Sequence, residues 1–205
     1  MTKHHFTYLA LGDSYTIGES VALHESFPYQ TIQLLRKKGL HFHAPEIVAQ
    51  TGWTSFELAE HLLHTSLNDT YDFVTLLIGV NNQYRKLKIE DYRNNFEFLL
   101  KKTLQYTSDK PERVIVLSIP DWSATPFFGN TNDANDISKE IDDFNKTNKE
   151  LSKQYNVHYI NITQSSREVK NNSSLIAEDG LHPSAKEYEK WAYLIADYII
   201  NAIKS

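Results

Sequence analysis

The chain has no cysteine among its 205 residues. That excludes disulfide frameworks, thiolate zinc sites and cysteine nucleophiles together. No apolar stretch approaches the ~20 residues that a membrane-spanning helix needs. Positive charge is not in excess: 21 Lys and Arg stand against 26 Asp and Glu, a net charge of −5. With no basic field to gather phosphates, nucleic acid is not an expected partner. The N-terminus, Met1-Thr2-Lys3-His4-His5, is polar and short, and the apolar segment after it is broken by Thr7 and ended by Gly12-Asp13. That is not the pattern of a signal peptide, so the expected location is the cytoplasm, although a trimmed secreted chain would read the same. Disorder is excluded as the main state, because 40% of the residues are hydrophobic and only 23% charged.

What is present alternates between two periods from end to end. Phe6–Leu11, Phe73–Ile78, Val114–Ile119 and Val157–Ile162 read as strands, and Glu46–Ala49 is a short apolar run after Pro45. The second and third of these runs are continuously apolar, as strands covered on both faces are. Helices are predicted over Pro28–Lys38, Thr54–Leu67, Ile89–Tyr106 and Ser184–Ile203, and helical spacing links Ile137, Ile141, Phe144, Leu151 and Tyr155. Thr54-Ser-Phe-Glu57 and Ser184-Ala-Lys-Glu187 carry the capping-box pattern. Five strands separated by helices predict a single α/β domain, an α/β/α sandwich around a parallel sheet. Ligands of such sheets bind beyond the C-terminal strand ends. The segments 120–135 and 164–183 are expected to be the only long loops, and both leave strands on that side.

The chain has only seven glycines, and four of them sit beside polar clusters. Gly12-Asp13-Ser14-Tyr15-Thr16 follows the first strand and puts a serine hydroxyl at the sheet's edge. A serine is a weak nucleophile until a base takes its proton. Asp179-Gly-Leu-His182-Pro183 places a carboxylate and an imidazole three residues apart on one tight loop. The carboxylate can fix the ring's tautomer and leave the other nitrogen free to accept a proton. Each cluster alone also reads as a turn cap, but together they supply nucleophile, base and orienting acid on one rim of the sheet, the requirement for acyl transfer. Gly52, just before the capped helix, and Gly79-Val-Asn81-Asn82, just after a strand, can add donors for an oxyanion: the Gly52 N–H, the Asn81 side chain and the Ser14 N–H. Asn81 is also an ordinary turn-forming residue.

These four blocks, Gly12-Asp13-Ser14, Gly52, Gly79-Val80-Asn81-Asn82 and Asp179-x-x-His182, in this order, resemble those of the SGNH, or GDSL, esterase/lipase superfamily. The resemblance covers most of the chain. It implies a flavodoxin-like three-layer fold with a central five-stranded parallel sheet, and ester hydrolysis through an acyl-serine with neither metal nor organic cofactor. Ser14 would be the nucleophile, His182 the base and Asp179 its orienter, with Ser14, Gly52 and Asn81 forming the oxyanion hole. Asn82 departs from the family, which usually has Asp there, and a change in local hydrogen bonding is expected from it. The Gly-x-Ser-x-Gly elbow of ordinary α/β-hydrolases is absent around Ser14.

Trp53, Tyr84, Trp122, Phe127 and Phe128 lie in or beside rim loops and are candidates for an apolar substrate pocket, or simply cover the core. His61-x-x-His64 and His41-Phe-His43 each present two rings at spacings that suit one face, but neither has an evident third ligand, so no metal site is assigned. The expected function is hydrolysis of small or medium acyl esters. An acyltransferase to a sugar or amine acceptor and a non-catalytic flavodoxin-like binding module are the alternatives.

Overall fold

The computed structural model describes residues 4–129 and 133–204. Along the chain run β1 (Tyr8–Asp13), α1 (Ser14–Ile17), α2 (Phe27–Lys37), β2 (Glu46–Gln50), α3 (Ser55–His64), β3 (Phe73–Leu77), α4 (Val80–Tyr84), α5 (Ile89–Tyr106), β4 (Val114–Leu117), α6 (Ala134–Gln154), β5 (His158–Ile160), α7 (Thr163–Ser166) and α8 (Ala185–Lys204). The strands form one sheet in the order β2-β1-β3-β4-β5, and every neighbouring pair is parallel. The apolar runs explain why β3 and β4 lie inside: every residue of both strands is buried. Parallel strands need right-handed crossovers. Stepping outward from β1 in both directions puts helices on both faces, with α2 packed on α8 and, opposite, α3 on α5 and α5 on α6. Phe27 of α2 meets Tyr188 and Trp191 of α8 at ring distances of 6.4 and 6.1 Å, so aromatic volume fills that layer.

The fold is the expected flavodoxin-like sandwich, with some boundaries moved. β1 is displaced toward Asp13: Gly12 pairs with Ala49 and Leu77, whereas Phe6 makes only a lone bridge to Phe42. β5 is shorter than its alternation suggested, at three residues. Thr54 caps α3 as its pattern predicts, its side chain and that of Glu57 exchanging backbone hydrogen bonds. The second capping box is half made. Ser184 Oγ accepts the Glu187 N–H at 3.4 Å, but the Glu187 carboxylate is buried under α8, where it accepts from Trp191 Nε1 at 2.9 Å. The described residues of the two long loops are organised rather than open; 130–132 of the first lie outside them. Short helical turns occupy 122–124, 126–128, 167–171 and 173–175. Buried Asp121 binds them together, accepting from Ser123 Oγ, Ser138 Oγ and Arg167 Nε at 2.6, 2.6 and 2.8 Å.

Candidate active site

In this strand order the chain leaves β1 toward one face and β3 toward the other, which opens a crevice between their C-terminal ends. Ser14 begins α1 there, directly after β1. Gly79 caps α4, which carries Asn81, directly after β3. The β1–β3 approach is close enough to need glycine: a Cβ on Gly12 would lie 2.4 Å from the Leu77 carbonyl oxygen and 2.1 Å from Thr16 Oγ1.

His182 reaches this crevice from the loop before α8. Its Nε2 lies 3.0 Å from Ser14 Oγ, and its Nδ1 lies 2.5 Å from Asp179 Oδ2. Ser14 and His182 are buried, at 5% and 6% exposure, and the Tyr15 ring packs on the imidazole at 5.0 Å. An ionised carboxylate only accepts hydrogen bonds, so Nδ1 carries the ring proton and Nε2 presents a lone pair to the serine hydroxyl. The Leu181 and His182 N–H groups donate to Asp179 Oδ1, each at 2.9 Å. Ser20 Oγ donates to Oδ2 at 2.7 Å. Burial opposes ionisation of Asp179, but these donors outweigh it and hold the carboxyl well below the usual carboxylate range. The group therefore stays charged beside the imidazole, and a serine so placed can pass its proton to Nε2.

Asp13 behaves in the opposite way. It is wholly buried, and burial pushes its carboxyl up to about 7 although Tyr15 N–H and Asn81 donate to it. Its Oδ1 caps α1 through the Tyr15 N–H at 3.0 Å. The Asn81 amide is not free: Nδ2 donates to the Trp53 carbonyl at 3.0 Å and lies 3.5 Å from Asp13 Oδ2. The first bond fixes the amide plane. The second is at the limit of a hydrogen bond, which leaves that N–H as the one available to another acceptor.

Gly52 occupies the turn after β2 that Trp53 N–H closes onto the Gln50 carbonyl at 3.2 Å. Its φ of +81° is the left-handed value that the third position of a type II turn requires. The Gly52 N–H makes no hydrogen bond among the described residues, while Arg85 Nη2 donates to its carbonyl and Nη1 to Glu57. Asn82, the departure from the family pattern, is buried and pins the start of α3: Oδ1 accepts the Ser55 N–H and Nδ2 donates to Ser55 Oγ, both at 2.9 Å.

The structure brings four of the five aromatic candidates together. Trp122 is buried, donates Nε1 to Gln83 Oε1 at 2.7 Å, and meets Tyr84, Phe128 and Phe127 at ring distances of 5.2, 5.3 and 6.5 Å. Tyr84 and Phe127 are exposed, and the Phe127 N–H donates to the Gly180 carbonyl at 2.9 Å, which ties the group to the Asp179–His182 loop. Trp53 is separate: its ring lies on His61 at 4.7 Å. That contact occupies one ring of the His61/His64 pair, and His41 and His43 stack around His5. No group of three or more His, Asp or Glu residues among those described can hold a metal ion. A groove of about 570 Å³ lies along α3 and α5, lined by Thr54, Asn82 and Arg85 rather than by Ser14 or His182.

Two contributors have no sequence signal: Ser20 lies far from Asp179 in the chain, and Arg85 lies outside every motif. Asp13 stands in the first block, but nothing local marks it as wholly buried.

No curated protein matches the sequence significantly. Solved structures do match in fold. Axe2, an acetylxylan esterase from Geobacillus stearothermophilus, is 16% identical with a TM-score of 0.71, over 97% of this chain and 94% of that one. A lipase/acylhydrolase from Enterococcus faecalis is 20% identical with a TM-score of 0.71, over 94% and 95%. The esterase EstA from Pseudoalteromonas sp. is 19% identical with a TM-score of 0.64, over 97% and 96%. The family comparison covers residues 10–190, from β1 into α8 and across all four sequence blocks. The chain belongs to the GDSL-like lipase/acylhydrolase family, and is an ester-bond hydrolase.

Proposed function

We propose that the protein hydrolyses small or medium acyl esters through an acyl-enzyme on Ser14. The observation that carries this reading is the unbroken chain from Ser14 Oγ through the His182 ring to Asp179, with links of 3.0 and 2.5 Å. In the first half-reaction Oγ attacks the ester carbonyl as its proton moves to Nε2. The imidazolium that forms is stabilised by the Asp179 carboxylate. Negative charge on the carbonyl oxygen is met by the Ser14 and Gly52 N–H groups and by the Asn81 N–H that Asp13 holds only at the limit of a hydrogen bond. Each such donor contributes on the order of 3–4 kcal/mol in the transition state. Nε2–H then protonates the leaving alcohol, and a water molecule repeats the sequence to free the acid. Tyr84 and Phe127, exposed and both in ring contact with Trp122, form the apolar face for the substrate.

The test is a panel of p-nitrophenyl esters of graded acyl length, run on wild type and Ser14→Ala. The proposal requires turnover that depends on Ser14 and falls off with long chains. Equal rates for both proteins would refute the acyl-enzyme. A preference for long chains would refute the substrate class alone.

A further inference from the structure

The nucleophile, the acid and the oxyanion turn come from three separate stretches of chain, and a two-residue strap behind Ser14 touches all three. Helix α1 ends at Gly18, and both the Gly18 and Glu19 N–H groups return to the Ser14 carbonyl, at 3.2 and 3.1 Å. The strap therefore hangs from the nucleophile's own backbone. The Val21 N–H closes the next turn onto the Gly18 carbonyl at 3.2 Å. Ser20, at the third position of that turn, has a φ of +66°. Glycine occupies such a position without strain, and a serine does not. What the serine adds is a hydroxyl, and that hydroxyl donates to Asp179 Oδ2, the oxygen that also receives His182 Nδ1. Beside it, the Glu19 carboxylate accepts the Thr51 hydroxyl, and Thr51 precedes Gly52 in the oxyanion turn.

We infer that Ser20 is a positioning residue for the Asp179–His182 pair, and that Glu19 is its counterpart for the Gly52 turn. The inference rests on the acyl-enzyme reading above. With Ser20, Asp179 has four donors on its two oxygens, and its rotation about the terminal bond is fixed. Without it, Oδ2 serves His182 alone. The carboxylate gains freedom to swing, and its undivided charge favours the protonated imidazole over the neutral base.

The experiment compares Ser20→Ala, Ser20→Gly and Glu19→Ala with wild type and Ser14→Ala in ester turnover against pH and in thermal unfolding. Ser20→Gly removes the hydroxyl and relieves the backbone strain, so its melting temperature should match or exceed that of wild type. Its kcat should nevertheless fall on the order of tenfold, KM should hold, and the acid limb of its kcat/KM profile should move to higher pH. Ser20→Ala should show the same kinetic change with lower stability. Glu19→Ala should lower kcat a few-fold with no movement of the acid limb. Ser20→Gly with wild-type kcat and an unmoved acid limb, in an enzyme that Ser14→Ala inactivates, overturns the inference and leaves the acyl-enzyme standing. Turnover that is indifferent to Ser14 overturns both.

Discussion

Replacing Asp179 by asparagine exchanges one oxygen for a nitrogen, and the structure dictates where the nitrogen goes. The Leu181 and His182 N–H groups both donate to Oδ1 at 2.9 Å, so the amide oxygen of the substituted side chain must stay there. The amide nitrogen then takes the place of Oδ2, 2.5 Å from His182 Nδ1 and 2.7 Å from Ser20 Oγ. The Ser20 hydroxyl can reverse and accept from it. The imidazole cannot keep a proton on Nδ1 facing another N–H, so its proton moves to Nε2, against Ser14 Oγ. A ring in that tautomer cannot take the serine's proton. The expected loss in kcat is on the order of 10⁴-fold, the measured effect of this swap in the serine-protease triad, or about 5 kcal/mol of barrier. Steady-state hydrolysis of p-nitrophenyl acetate reads the rate, and imidazole ¹⁵N shifts read the tautomer. An Asp179→Asn enzyme within about tenfold of wild type, or one that keeps its proton on Nδ1, would refute the reasoning.

Other consequences follow from neighbouring groups. Asp13 is raised by burial from an ordinary 3.8 to about 7, so the folded state holds its proton across a window in which the unfolded chain has lost it. Its contribution to stability therefore declines as pH rises from about 4 to 7 and is level above that, by up to about 4 kcal/mol. Urea unfolding at pH 5 and 8 should show that slope in wild type and lack it in Asp13→Asn. Gly12→Ala should cost about 1–3 kcal/mol or more in a urea melt and lower activity, because its Cβ meets the Leu77 carbonyl at 2.4 Å and must part β1 from β3. Asn82→Asp should fold normally, since the Ser55 N–H keeps an acceptor and the Ser55 hydroxyl can reverse to donate. Asn82→Leu orphans that N–H and should lose about 1–3 kcal/mol in the same melt.

The sequence is most informative where one short segment carries both the side chain and its reason. Asp179 and His182 meet because they stand three positions apart on a loop with Gly180, and Thr54 caps α3 because Glu57 follows at the right distance. The strands and the long helices are equally readable, since continuous apolar runs mark strands covered on both faces and helical spacing marks a stripe that faces one layer. What stays hidden depends on groups brought together from afar. Among the described residues, the segments after β4 and β5 are tied together by Asp121 receiving Arg167, a pairing with no local pattern. Ser20 looks like an ordinary turn residue until the fold delivers Asp179 to it. The Trp53 ring lies on His61 of the next helix, a contact that rim position alone does not announce. The pairing of Asn82 with both polar atoms of Ser55 explains why an amide serves where the family usually has a carboxylate.

Reaction with a fluorophosphonate, followed by intact-mass and peptide mapping, reads the activated hydroxyl itself. One adduct per chain on Ser14, absent from Ser14→Ala and strongly slowed in His182→Ala, is the expected result. An adduct on a different residue, or wild-type labelling of a folded Ser14→Ala protein, would contradict the assignment of Ser14 as the group that His182 activates.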